Sequence, residues 1–535
     1  MASPDAETPW SDPFDRWCYW PAFAALSIVT AALMFAYRFH PFLDWPQHMS
    51  QAAITEHLHN PKWGFEKYYR LPNWFLPYHT FRWTQAIFGR VLGDSIGFRA
   101  ALLPYLLGMP LVAHALVRRF GRDRWLALGA FTIVVEANLL WGFAPYVTGT
   151  IAMFAAIMLT IDALRDGGRW RFALHAALGV VIFFSHPEVC GVWSATTGFI
   201  ALAAWIGRRT SLARASWLVV TILPAFAMLA HYMLSAGWVD GSALQKIEFP
   251  TTYASQFMTP MQVIALLPLW SGLALMGDVP YHSYLIAVAA VAAAAAAQWW
   301  LRRRAVEAPR SRWTFAVAVM LALWTVMLFT LPSWARGEPI SVRIPSFIGF
   351  ALFWLFPLAR PRSPSERLAV IPARVVLLAC ALTTLAFSHR RFSAYDRSLE
   401  PLAHAIDRLP RDARVATLVY DLVPHGIIEM PTYIHIGGYA LAARGGMASF
   451  NFNILPYKSE ELKKNALVYQ VWAPSASGWQ LPRAYAGFYD YVLVKKGPLY
   501  HGSPFAPSAI GVAAAELIFA EGDIELWRTA RGPGS

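Results

Sequence analysis

Charged side chains are scarce in this chain. Asp, Glu, Lys and Arg make up only 14% of its 535 residues, whereas 57% are hydrophobic and 15% aromatic. So few charges cannot cover the surface of a soluble globular protein, and the composition therefore predicts a membrane protein that crosses the bilayer several times. The net charge of +13 comes from Lys and Arg clusters between apolar segments. These clusters indicate topology, and they do not indicate a nucleic-acid partner.

Cysteine and the common nucleotide and hydrolase motifs are also scarce or missing. Cys18, Cys190 and Cys380 are far apart and lie in or beside apolar segments, which excludes a disulfide framework and a Cys-based metal site. No Walker A, GxSxG, GxGxxG or CxxC pattern stands where it could act, so ATP-driven transport, serine hydrolysis and dinucleotide redox chemistry have no support. The acidic N-terminus has no basic region or cleavage site, and the first apolar segment is expected to stay as a span.

Long apolar runs are abundant. Eleven are long enough to cross about 30 Å of hydrocarbon: 20–38, 98–118, 125–141, 143–164, 171–186, 188–207, 214–236, 281–301, 313–331, 342–359 and 368–388. Two further runs are ambiguous, because 74–92 carries several polar residues and 260–276 is short and broken by Pro268.

The basic loops decide how these runs are oriented. Five of them lie between spans, at 118–124, 165–171, 208–214, 302–312 and 359–367. The positive-inside rule places all five in the cytoplasm when the N-terminus is cytoplasmic and there are eleven spans. Counting 74–92 alone as another span would move all five outside. The two ambiguous runs are therefore expected to be interfacial or re-entrant helices on the outer face.

This topology predicts an α-helical polytopic membrane domain over 1–388 and an extracytoplasmic α/β domain over 389–535. The first outer loop with its interfacial helices would occupy 38–92. In the second domain Asp, Glu, Lys, Gly and Pro return, and no run is long enough to span. The pattern there predicts a helix over 399–409 and strands over 413–420, 489–495 and 523–528.

The stretch 38–73 is the first long polar segment, and it contains the leading candidate site. Asp44 and His48 are four residues apart, so they share one face if the chain is helical after Pro46. A carboxylate and an imidazole at a membrane surface can move protons or hold a cation. We interpret this stretch as an active-site loop. The alternative is that Asp44 is only a helix N-cap.

Other histidines in the same loop do not predict a metal site. His57 and His59 are two residues apart and would point to different sides of a helix. Together with His48 and Glu56, they match no known metal-binding spacing.

Six further ionisable residues are expected near the outer face: Glu136, His186, Glu188, Lys246, Arg336 and Arg343. The acidic residues and the histidine lie at the ends of apolar runs, where ionisable groups are costly and line functional cavities or contact interfacial water. The three cations, above all the two arginines, are candidate ligands of a phosphate. Their alternative role is to anchor the chain at the interface.

The sequence as a whole resembles the GT-C superfamily of integral membrane glycosyltransferases. The stretch DWPQHMSQA (44–52) is similar to the D-x-P-x-H-x-x-x-A segment after the first span of bacterial members, and WGFAPYVTGTIAMFAA (141–156) is similar to their aromatic-glycine fourth span. The resemblance extends to the first outer loop, the many short-looped spans and the external C-terminal domain. The first loop contains no DxD or ExD pair, which many members have.

This resemblance implies a hexosyl- or pentosyltransferase of the bacterial inner membrane. A polyprenyl-phosphate sugar would be the donor, and a glycan, lipid or protein outside the cytoplasm would be the acceptor. Asp44 would be the catalytic base or a metal-binding carboxylate, with His48 as its neighbour, so a divalent cation is an open cofactor. Two alternatives remain at this stage: a secondary transporter or lipid flippase, and a non-catalytic relative that acts as a scaffold.

Overall fold

The computed structural model describes residues 13–71, 75–235, 257–270, 275–302, 314–335, 338–361, 363–449, 458–459, 462, 480–481, 487–505 and 515–529. Its α-helices are α1 (Pro13–Phe35), α2 (Trp45–His57), α3 (His79–Leu92), α4 (Asp94–Ala100), α5 (Leu103–Arg119), α6 (Ala137–Leu140), α7 (Ala144–Asp166), α8 (Arg169–Ser185), α9 (Pro187–Ile206), α10 (Leu212–Ser235), α11 (Pro260–Trp270), α12 (Asp278–Arg302), α13 (Thr314–Thr330), α14 (Ile344–Leu355), α15 (Pro364–Ser398), α16 (Glu400–Arg408) and α17 (Gly437–Arg444). Its strands are β1 (Trp334–Ala335), β2 (Glu338–Pro339), β3 (Arg414–Val419), β4 (Met447–Ala448), β5 (Tyr491–Lys495), β6 (Glu516–Glu521) and β7 (Ile524–Arg528).

Helices dominate, and the chain is an integral membrane protein. In the described part of the chain, seven helical segments are long and apolar enough to cross a bilayer: α1, α4–α5, α7, α9, α10, α12 and α15. Three other predicted spans correspond to α8, α13 and α14, which are 17, 17 and 12 residues long. The count of eleven spans is therefore not confirmed.

The predicted span over 125–141 is wrong as a helix. Its first part, Arg124–Thr132, is a 3-10 helix, and α6 adds only one short turn near its end. The segment starts where the Asp123 amide donates to the Leu358 carbonyl, and it ends where Leu140 accepts a hydrogen bond from Leu43. A 3-10 helix rises faster per residue than an α-helix. Every residue from Trp125 to Thr132 is buried, and irregular backbone at membrane depth requires such cover.

Close packing accompanies this departure from α-helix. A Cβ atom at Gly129 would lie 2.7 Å from the Phe353 ring, so the segment approaches α14 through a position without a side chain. The Thr132 hydroxyl donates to the Gly129 carbonyl at 2.7 Å. Hydrophobic content alone cannot distinguish this packed segment from a lipid-facing span.

The C-terminal region forms a small mixed sheet with strand order β4-β3-β5-β7-β6. β3 is parallel to β4 and β5, and β7 is antiparallel to β5 and β6. These elements match the helix and strands expected from the sequence, since α16, β3, β5 and β7 fall within one to two residues of the predicted ranges. α15 runs without interruption through 388–389, where the sequence predicted the domain boundary.

The first outer loop is largely helical. α2 begins directly after Asp44, as the sequence predicted, and α3 follows within the ambiguous run 74–92. The second ambiguous run contains α11. α2 packs against α3 and against α17 of the C-terminal region, so the first loop lies between the membrane helices and the sheet.

Candidate active site at the start of α2

Asp44 is not a helix cap. It stands at the N-cap position of α2, but its backbone is already helical (φ −86°, ψ −3°) and its side chain makes no capping hydrogen bond. An N-cap residue normally has extended backbone and a side chain that accepts from the first turn. The carboxylate is 15% exposed. Capping therefore does not explain Asp44, and its carboxylate remains accessible for chemistry.

The backbone around Asp44 is held by the segment that leads into α7. The Leu43 amide donates to the Leu140 carbonyl at 2.9 Å, and the Asp44 amide donates to the Trp141 carbonyl at 3.1 Å. The next residue, Gly142, has φ +81°. A Cβ atom at Gly142 would lie 2.5 Å from the Asp44 nitrogen. Glycine is thus required both for the backbone conformation and for the close approach to Asp44.

Replacing Gly142 by alanine should displace Asp44 and lower stability. The positive φ alone costs about 1–2 kcal/mol for a residue with a Cβ, and the clash with the Asp44 backbone adds to it. Gly93→Ala is the matched control, because Gly93 has φ +80° but a Cβ there would meet no atom of the described chain within 4 Å. Thermal unfolding in detergent should show a larger loss for Gly142→Ala. Equal losses of stability in the two variants would mean that the clash with Asp44 adds nothing to the cost of the positive φ.

His48 lies one turn after Asp44 and is buried. Its Nε2 is 3.0 Å from the Gly142 carbonyl oxygen. Since a carbonyl only accepts, Nε2 carries the proton in the neutral imidazole. Burial lowers the pKa of His48 to about 4, although the nearby Asp44 carboxylate opposes that shift. His48 is therefore neutral at pH 7 and helps to fix the Gly142 turn.

Arg343, His186 and Glu188 converge at a second cluster. The Arg343 Nη1 donates to a Glu188 carboxylate oxygen at 2.6 Å and lies 3.4 Å from the His186 Nε2. The guanidinium carbon lies 4.2 Å from the centroid of the Phe143 ring and 5.2 Å from that of Tyr146. Arg343 is 3% exposed and Glu188 12%. The cluster is a largely buried ion pair whose guanidinium stacks on two aromatic rings.

Glu136 is connected to this second cluster through hydrogen bonds. Its carboxylate caps α6 through two backbone N–H groups and also accepts from the Asn138 amide, the Ser346 hydroxyl and, at 3.4 Å, the Tyr105 hydroxyl. Asn138 in turn donates to the Arg343 carbonyl at 3.2 Å. Five donors engage a carboxylate that is almost fully buried. The structure therefore places Glu136 as a positioning group for the residues that hold Arg343.

The two clusters meet at consecutive residues. Asp44 and His48 contact the backbone of Gly142, and Arg343 stacks on the ring of Phe143. Neighbouring Cα atoms are about 3.8 Å apart. The carboxylate of Asp44 and the guanidinium of Arg343 are thus positioned by one short turn of the chain.

A buried cation that the sequence did not identify as a site residue lies on α3, near residues that contact these clusters. Arg82 on α3 is 5% exposed, and its Nη2 is 2.6 Å from the His79 Nδ1. In the described part of the chain its Nε and Nη1 have no hydrogen-bond partner. Burial lowers the pKa of Arg82 to about 10, so it is still charged at pH 7. Its presence in an otherwise apolar run was the only sequence signal.

The neighbours of Arg82 on α3 contact both clusters. The Phe81 ring packs edge-on against the His48 ring at 5.5 Å between centroids. The Tyr78 ring packs in the same way against His186 at 5.1 Å. The first turn of α3 therefore bridges the two clusters, and Arg82 is anchored on that turn.

The remaining candidates fall elsewhere. Lys246 and Arg336 lie outside the described residues. Four other side chains of the first loop form ion pairs: Glu56 with Arg90, His57 with Asp94, and His59 with Glu66. His40 is buried and packs against Phe42 and Trp45.

Among the residues that the structure describes, no three His, Cys, Asp or Glu side chains are placed to hold a metal ion.

Comparison with known proteins identifies solved structures that have a similar fold. No family model and no curated protein matches the sequence. The structure is similar to the crystal structure of ArnT from Cupriavidus metallidurans in the apo state, with a TM-score of 0.54 and 11% identity over 96% of this chain and 99% of that chain. It matches the same protein bound to undecaprenyl phosphate with a TM-score of 0.53 and 12% identity over the same shares of both chains. The chain therefore has the fold of ArnT, which agrees with the fold that the resemblance to the GT-C superfamily predicted.

Proposed function

We propose that this protein is a glycosyltransferase that moves a sugar from a polyprenyl phosphate to an acceptor outside the cytoplasm. The observation that carries the proposal is the Asp44 carboxylate. It is 15% exposed, it caps no helix, and its backbone packs on Gly142, next to the Phe143 ring on which the Arg343 guanidinium stacks. Transfer from a phosphate ester requires a base for the acceptor and a cation for the departing phosphate.

The proposed reaction uses Asp44 as the general base. The acceptor hydroxyl or amine attacks the anomeric carbon of the donor, its proton passes to the Asp44 carboxylate, and the bond between the anomeric carbon and the phosphate oxygen breaks. The polyprenyl phosphate leaves with the bonding electron pair. No ATP is needed, because the sugar phosphate ester is already activated.

Arg82 is the cation proposed to hold the departing phosphate. Arg343 has its Nη1 committed to Glu188, whereas Arg82 has two N–H groups without a partner in the described chain. Buried donors gain most from an anionic partner that replaces lost hydration. The ion pair of Arg343 with Glu188 would then form one side of the proposed site, and His186 would lie next to that ion pair. The ArnT structure with undecaprenyl phosphate supports a lipid phosphate as the type of ligand.

The proposed orientation follows the basic loops. The N-terminus and the five basic loops would be cytoplasmic, while α2, α3 and the C-terminal sheet would face outside, in the inner membrane of a bacterium. Asp44 and the sheet lie on the same side of the bundle, because α17 packs on α2. A chemistry that uses acceptors outside the cytoplasm fits this placement.

The test is sugar transfer by the purified protein in nanodiscs. Undecaprenyl phosphates that carry labelled hexoses or pentoses are supplied one at a time with an envelope extract, and label in the acceptor fractions is measured. Transfer from at least one donor, with release of undecaprenyl phosphate, is expected. Binding of the lipid without transfer from any donor would favour the scaffold alternative. Movement of intact donor across proteoliposomes would favour a flippase.

Removal of the Arg82 charge should weaken binding of undecaprenyl phosphate. One charge-assisted hydrogen bond contributes about 1.5–3 kcal/mol, so Arg82→Met should raise the dissociation constant by about 10- to 100-fold. Arg90→Met is the control: Arg90 lies on the same helix, but it is exposed and pairs with Glu56. Titration of the lipid by native mass spectrometry measures both variants. Equal affinities for Arg82→Met and the unmodified protein would remove Arg82 from the phosphate site.

A further inference from the structure

The C-terminal region reaches the candidate base through one histidine. His435 precedes α17, and its Nε2 lies 3.4 Å from the Asp44 Oδ1. The His435 side chain is fully buried. The Asp44 carboxylate therefore lies next to an imidazole from the other end of the chain, in addition to His48 one turn further along its own helix.

The backbone that carries His435 is held tightly against the first loop. A Cβ atom at Gly438 would lie 2.5 Å from the Pro46 carbonyl oxygen, so α17 meets the start of α2 at backbone distance. The Gly438 amide donates to the His435 carbonyl at 2.9 Å. Only glycine permits this approach, which fixes the position of His435 relative to Asp44.

A second contact holds the same surfaces together. The Tyr439 hydroxyl donates to the His40 carbonyl at 3.3 Å and accepts from the His40 amide at 3.2 Å. Its ring packs edge-on against Phe39 at 4.8 Å between centroids. Both hydrogen bonds are buried and join the Tyr439 hydroxyl to backbone atoms of His40, so the orientation of α17 does not depend on surface charge.

The contact between His435 and Asp44 has a chemical consequence. The buried His435 ring, with its Nε2 3.4 Å from Oδ1, limits the rotation of the carboxylate on that side and leaves Oδ2 for the proton of an acceptor. His48 cannot take this role with its Nε2, which donates to Gly142. A carboxylate without a capping bond would otherwise rotate freely, and a base acts best when its geometry is fixed before the reaction.

We propose that His435 is a positioning residue of the transfer reaction, supplied by the C-terminal region to orient the Asp44 carboxylate. The proposal rests on the proposed function, because it assumes that Asp44 is the base. It gives the C-terminal region a direct part in the chemistry, in addition to any contact with the acceptor.

The test is a double-mutant cycle in the transfer assay. His435→Ala should lower kcat by about 10- to 100-fold and leave KM for the lipid donor unchanged. His435→Gln should restore most of kcat, because the glutamine amide can place a donor near the position of Nε2. In the Asp44→Asn background, His435→Ala should cause no further loss, since residues that act as a unit are not additive.

The control is His425→Ala, which removes an exposed histidine of the same region that pairs with Glu429. Thermal unfolding confirms that each variant is folded. Unchanged kcat in His435→Ala would overturn the inference, and so would an equal further loss in the Asp44→Asn background, which would indicate a purely structural role. Absence of transfer by the unmodified protein would instead overturn the proposed function, and with it the inference.

Discussion

Asp44→Asn should reduce sugar transfer by about 10²- to 10⁴-fold, the usual contribution of a general base. Asparagine keeps the size and shape of aspartate but cannot accept the proton of the acceptor. The variant should fold normally, because Asp44 makes no capping hydrogen bond that the change would remove. Its free energy of unfolding should fall by no more than about 1.5 kcal/mol, the usual contribution of one polar contact, because only the contact with His435 is altered.

The measurement is kcat and KM for the labelled polyprenyl-phosphate sugar in nanodiscs. Loss of kcat without a large rise in KM indicates an interaction made in the transition state. Asp94→Asn is the matched control, since Asp94 also lies at the start of a helix, α4, but pairs with His57. Full activity of Asp44→Asn would remove Asp44 as the base, and the scaffold alternative would then become the better account.

Arg374→Met should cause the largest loss of stability among the changes considered. Arg374 donates to the Asp123 Oδ2 through Nε at 3.1 Å and Nη2 at 2.7 Å. Both side chains are only 1% exposed. The other oxygen of Asp123 accepts from the Trp125 amide at 3.0 Å and caps the 3-10 segment. Loss of the guanidinium removes a counter-charge from a buried carboxylate, which costs about 3–5 kcal/mol.

Thermal unfolding in detergent measures this effect. The double variant Asp123→Asn with Arg374→Met should recover part of the loss, because it no longer buries an isolated charge. Arg119→Met is the control: it removes a partly exposed ion pair with Asp162 and should cost less than about 1 kcal/mol. Similar losses of stability in Arg374→Met and Arg119→Met would mean that burial does not increase the contribution of an ion pair to the free energy of unfolding.

Local patterns in the sequence predicted most of the secondary structure. The helix after Pro46 and the strands near 413–420 and 489–495 were readable because turn residues bound them and their apolar residues follow a clear period. The segment 125–141 was not readable in the same way. Its apolar residues meet other helices instead of lipid, and both environments select the same side chains.

The candidate site depends on contacts that no local pattern encodes. Arg343 meets Glu188 across more than 150 positions of the chain, and His435 meets Asp44 across most of its length. Nothing near His435 in the sequence marks it as different from a buried structural histidine. Arg82 was visible as a cation in an apolar run, but only its burial without a carboxylate partner in the described chain makes it a phosphate candidate.

The length of α15 restricts how an acceptor can enter. Its 35 residues extend about 50 Å, well beyond about 30 Å of hydrocarbon, and it continues almost directly into α16. The sheet is therefore connected to the membrane helices through one long helix. The one internal proline of α15, Pro372, lies near the N-terminal end of that helix, away from the sheet. Swinging the sheet away from α2 would require that helix to bend. We therefore expect an acceptor to enter between the sheet and the membrane helices while the sheet stays in place. The rate of turnover should then not depend on a movement of the sheet.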